Sequence, residues 1–118
     1  MIRTSPELRL YREQELSGKT PEELLLFVLD TGVRAARQRD RRLLTRVLTE
    51  LMGGLDFSRG QISLGLLALY DYAVRETREN RFAFPERLLS ELSHTFRRAQ
   101  AASARAGRLQ AGQEEIAA

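Results

Sequence analysis

The chain of 118 residues has no cysteine. Disulfides, thiolate metal sites and cysteine nucleophiles are excluded with it. Histidine occurs once, at His94, and lysine once, at Lys19. There is no Gly-rich phosphate loop and no internal repeat. No apolar run reaches the ~20 residues needed to cross a bilayer, so no membrane partner is expected. Arg3, Glu7, Arg9, Arg12 and Glu13 interrupt the N-terminal stretch. An apolar signal segment is therefore not expected, and the expected location is cytoplasmic. Proline is scarce as well. Pro6, Pro21 and Pro85 all stand where a helix would open, and the first helical turn is where proline is tolerated.

What is present points to helices. Leu64-Gly65-Leu66-Leu67-Ala68-Leu69-Tyr70-Asp71-Tyr72 is nearly apolar on every side and does not alternate as a half-buried strand does. Leu66, Leu69, Tyr70, Ala73, Val74 and Thr77 recur at helical spacing, which predicts a helix from about Gln61 to Asn80. A helix apolar all round has to be covered on most sides, so this one is expected to sit centrally or to lie under a partner. Gly65 costs it ~1 kcal/mol but leaves room for another helix to approach.

Thr20-Pro21-Glu22-Glu23 is a helix start, with a capping threonine, proline at the first position and Glu23 closing a capping box. The helix it opens is expected to run to about Arg37. Its stripe Leu24/Leu25/Val28, then Gly32/Ala35/Ala36, is suited to a core, which leaves Leu26 and Leu29 over. Arg37 to Arg42 breaks the apolar period and predicts a tight turn near residues 38–41. Leu44, Val47, Leu48, Leu51, Met52 and Leu55 mark a second helix, weakened at its end by Gly53-Gly54. A loop follows at 56–60. A charged and aromatic connection, 78–84, precedes Pro85. The fourth helix carries Leu88, Leu89, Leu92, Thr95, Phe96 and Ala99 and is expected to end near Ala106.

Ser5, Pro6 and Glu7 predict one short helix in an N-terminal arm, residues 1–19. Four helices with short connections pack as antiparallel neighbours. The expected fold is thus all-α: an antiparallel up-down four-helix bundle over 20–105 with a short N-terminal helical arm. Residues 106–118, poor in bulky anchors, are expected to form a disordered tail.

Candidate chemistry is thin. Glu91-x-x-His94 is half of a di-metal carboxylate-histidine motif, and the second half needs another histidine. No metal and no cofactor is expected. Ser90 and His94 stand one turn apart without a strained elbow or oxyanion loop. The chain is not expected to be an enzyme. The net charge is +3, and 18 of the 19 basic residues are arginine. The Arg34–Arg46 cluster gives a nucleic-acid reading, disfavoured because Asp40 interrupts it and no aromatic accompanies it. Asp30/Arg34 and Asp71/Arg75 are spaced as i,i+4 ion pairs.

The informative feature is an apolar surplus: Leu26, Leu29, Leu64, Leu67, Phe57, Phe82 and Phe84. It implies cover by the arm, a homodimer, or a groove between helices one and three that accepts an apolar helix. Contacts are expected at Leu25, Leu26, Leu29, Leu64 and Leu67.

In order along the chain, these residues resemble the flagellar export chaperone family, the FliS type that binds flagellin. The likeness runs from Tyr11 through Thr20–Leu24, Val28–Gly32, Glu50-Leu51-Met52, Leu55-Asp56 and Leu69–Tyr72 to Leu88–Phe96. It implies a non-enzymatic cytoplasmic chaperone. The partner would be the disordered C-terminal region of flagellin, kept from polymerising before export. It also implies that Tyr11 can occupy part of the partner site in the free protein. Both hairpins are shorter than is typical of that family. Leu29 stands for its tyrosine, Thr31-Gly32 for its Gly-Ala and Phe96 for its tryptophan. A different secreted client is the alternative that these departures leave open.

Overall fold

The computed structural model describes the backbone of residues 19–117 and the side chains as far as 113. The expected arm, Tyr11 included, lies outside the described residues. Within them are four α-helices: α1 (Pro21–Arg37), α2 (Arg41–Gly53), α3 (Gln61–Arg78) and α4 (Ala83–Ala117), with a 3-10 turn at Phe57–Arg59.

Each start is set by local chemistry. The Thr20 hydroxyl accepts from the Glu23 amide at 3.1 Å, and Pro21 is the first residue of α1. The Asp40 carboxylate accepts from the Leu43 amide at 3.1 Å and so caps α2. Asp56 caps the 3-10 turn through the Ser58 amide at 3.0 Å. Gly60 then takes φ +64°, where only glycine is free of a Cβ penalty, and the chain turns into α3.

The two hairpin turns close alike. At the end of α1 the amides of Arg39 and Asp40 donate back to the carbonyls of Ala36 and Ala35. At the end of α3 those of Asn80 and Arg81 donate to Thr77 and Glu76. Each is a Schellman motif. The left-handed residue is Arg39 (φ 56°) in one and Asn80 (φ 59°) in the other. Arg39 Nη2 reaches the Asn80 carbonyl at 3.4 Å, and its guanidinium lies 4.8 Å from the Phe82 ring centre. Both turns therefore share one end of the molecule.

α1 packs on α2 and α4, and α3 packs on α2 and α4. Among the described residues these four pairs are the close backbone approaches between α-helices. Along α1 and α4 the contacts step in opposite senses: Arg37 to Glu86 at 2.8 Å, then Asp30 to the Ser93 hydroxyl at 2.7 Å. Leu29, Leu44, Val47, Leu48, Ala73 and Leu89 are fully buried at the centre. The α1/α2/α4 junction is so tight that a Cβ on Gly32 would stand 2.5 Å from Leu89 Cδ1 and 2.8 Å from Val47 Cγ1.

Four expectations need correction. Leu26 and Leu29 are not left over: they are core residues, because α1 is covered from two sides and buries a wide arc. Asp30 does not pair with Arg34. It accepts from Ser93 and Arg97 of α4 instead. The all-apolar helix α3 is not central: Ile62, Leu64, Leu69 and Tyr72 face solvent in the single chain, which leaves the other expectation, cover by a partner. α4 does not end near Ala106 but continues to Ala117. Ala, Gln, Arg and Glu are good helix formers, and Gly107 and Gly112 alone do not outweigh them.

Candidate functional site

At the end opposite the hairpin turns, the helices splay around an open cleft of about 880 Å³. Pro21, Leu24, Leu25, Phe27 and Val28 line it from α1. Leu51, Gly54 and Leu55 line it from the end of α2, and Ile62, Ser63, Leu66 and Tyr70 from α3. Phe96 of α4 closes one side. Among the described residues the cleft lies between the start of α1 and the start of α3, beside the end of α2 at Gly53-Gly54. A smaller depression of about 560 Å³ continues past Leu25 and Phe96 to Thr20, Ala99, Gln100 and Ser103.

The wall is apolar, made of aliphatic side chains with Phe27, Tyr70 and Phe96 among them, and Glu50, Asp56 and Arg59 add charge. Arg59 faces Asp56 at 3.9 Å. Hydrogen bonds from the Ser58 side chain and amide, with help from Arg59, hold the Asp56 carboxyl below its usual range. Ser63 is buried and donates to the Asp56 carbonyl, which ties the 3-10 turn to α3. Tyr70 is buried in the wall, and burial pushes its hydroxyl above the ordinary tyrosine range.

The residues expected at a partner site are divided. Leu25 lines the cleft. Leu26 and Leu29 are in the core, at 7% and 0% exposure, and present no surface to a partner. Leu67 is half-buried and Leu64 is 58% exposed, but neither faces the cleft. Phe82 and Phe84 pack locally at the α3–α4 turn, Phe84 edge-on to Tyr72 at 4.8 Å. Leu24, Val28, Leu51, Leu55, Leu66, Tyr70 and Phe96 also line the cleft, although helical periodicity places them on core stripes, and Ile62 joins them with no expected role. Their common signal is position: each lies at a helix end or beside a shortened neighbour.

Glu91 and His94 are both exposed. Among the described residues no group of His, Asp and Glu is placed to hold a metal ion, and no helix is long and apolar enough to cross a membrane. In the arginine cluster, Arg37 is held by Glu86, Arg39 by Asn80 and Phe82, and Arg34 lies 3.4 Å from the Thr31 hydroxyl. No protein-family model, no curated protein and no solved structure matches the chain.

Proposed function

We propose that the chain is a non-enzymatic export chaperone whose cleft binds an apolar helical segment of a disordered client, the C-terminal region of flagellin, in the cytoplasm. The reading includes an antiparallel up-down arrangement of the four helices, which the ring of helix contacts supports. The observation that carries it is the open apolar cleft with charged residues among its lining.

Its size suits such a ligand. A helix with side chains is about 10 Å across and rises 1.5 Å per residue, so about two turns fit in the cleft volume. Ordering those roughly seven residues costs about 7–14 kcal/mol of backbone entropy. At about 25 cal/mol per Å² that requires roughly 300–600 Å² of buried apolar surface. The cleft wall and the exposed Phe57 and Ile62 beside it are the surface on offer. The client segment should therefore carry large aliphatic residues at i, i+3 or i+4, and i+7.

The test is calorimetric titration of a flagellin C-terminal peptide into the wild-type chain and into Leu25→Asp and Ile62→Asp. Both side chains reach solvent, so the helices should survive in circular dichroism. Binding should weaken by more than about tenfold, a loss above about 1.4 kcal/mol. Unchanged affinity in both variants removes the cleft as the site. No binding by the wild type removes flagellin as the client.

A further inference from the structure

Along α3, Ile62, Gly65, Leu69 and Tyr72 follow the spacing 3, 4, 3, which is that of one side of a coiled-coil seam. All four face solvent, with Ile62 71%, Leu69 42% and Tyr72 46% exposed. A Cβ on Gly65 would meet nothing within 4 Å. Ala68 beside it is exposed too. The one charged residue between Ile62 and Tyr72, Asp71, is held by Arg75 at 2.7 Å.

We infer that this face of α3 is the interface of a homodimer, formed by a second copy packed antiparallel across it. The seam is complementary to itself. Its midpoint is residue 67, and a two-fold axis there sets Ile62 against Tyr72 of the partner subunit and Gly65 against Leu69 of the partner subunit. Each leucine meets a position with no side chain, so the backbones can approach closely. This is the arrangement that a two-fold contact demands, in which one patch serves both copies. The helix is already folded, so pairing orders side chains but no new backbone.

Size sets the strength. At roughly 150–200 Å² per large apolar side chain, the exposed fractions of Ile62, Leu69 and Tyr72 amount to roughly 240–320 Å² per copy. With its flanks the seam makes an interface at the small end of the specific range, below about 1,200 Å² in total. The dimer is therefore in exchange with monomer at low concentration. Ile62 lines the cleft as well as the seam, while Gly65, Leu69 and Tyr72 lie outside the cleft, so Gly65→Glu tests the dimer without touching the proposed client site.

Gly65→Glu is the discriminating variant. The position is open and lies inside a helix, so glutamate favours the folded subunit while filling the space needed by Leu69 of the partner subunit. Light scattering on eluted protein, from about 1 to 500 µM, should show wild type rising to twice the chain mass. Gly65→Glu should stay at one, with unchanged circular dichroism. The native chain has no cysteine, so Ala68→Cys reports on geometry alone: oxidation should trap a dimer through α3, and Gln113→Cys on exposed α4 should not. A wild type that remains at single mass throughout overturns the inference. So does a Gly65→Glu dimer, or an Ala68→Cys dimer that oxidation cannot trap.

Discussion

Gly32 has no room for a methyl group. The two atoms that one would strike belong to Leu89 and Val47, both fully buried, and Val47 is branched and stiff. Overpacking a core typically costs 1–3 kcal/mol, against ~1 kcal/mol gained by alanine as a helix former. Overpacking wins, because neither neighbour has space to retreat. Gly32→Ala should lose about 1–2 kcal/mol in urea denaturation; a gain in stability would show that α1 and α4 can slide apart. The sequence placed Gly32 on the inward stripe correctly. It held no sign of the left-handed turn at Arg39, since arginine is a poor candidate for φ 56°. Only the switch from apolar to charged residues at 37–42 located that turn, and the location was right.

At the scale of elements, the starts of α1 and α4 were readable from Thr20-Pro21 and Pro85, and the core side of α2 from Leu44, Val47, Leu48 and Leu51. What periodicity does not hold is which part of a stripe a neighbour covers. Leu25 and Val28 lie on the same stripe as Ala35 and Ala36, yet they face the cleft while the alanines are sealed. The end of α4 was misjudged for a related reason: helix formers without bulky anchors were taken for disorder. Beyond Ser103 the described side chains are exposed apart from Gly112, which is partly covered, so the last 14 or so residues project about 20 Å. Helices of this length are marginal in water when nothing packs on them. Amide exchange should thus be fast over 104–117 and slow, near the global limit, at Leu88 and Leu89. Gly107→Ala and Gly112→Ala, each worth about 1 kcal/mol, should each slow local exchange about fivefold without moving the global midpoint.

The molecule as a whole should be most stable between two titrations. Asp56 and Glu76 are held below the usual carboxylate range. Asp56 is held chiefly by hydrogen bonds from Ser58, and Glu76 by Arg81 and then Tyr72. Their contribution is complete only above the ordinary carboxylate range, from about pH 5 upward, and fades as pH falls through the lowered native values. Tyr70 works in the other direction. Burial raises its value, so an unfolded chain releases that proton first, and stability falls as pH rises beyond about 10. Denaturant midpoints from pH 3 to 11 should show both limbs, and Tyr70→Phe should flatten the alkaline one. An unaltered alkaline limb in that variant would assign the loss to other groups.

The paired Schellman closures stand side by side, bridged by Arg39, and the longest axis of the molecule runs to 60 Å. A body fastened at one extremity, like a clothes-peg, yields at the other. Breathing motions should concentrate where α1 and α3 begin, so the width of the opening there varies while the far extremity keeps its shape.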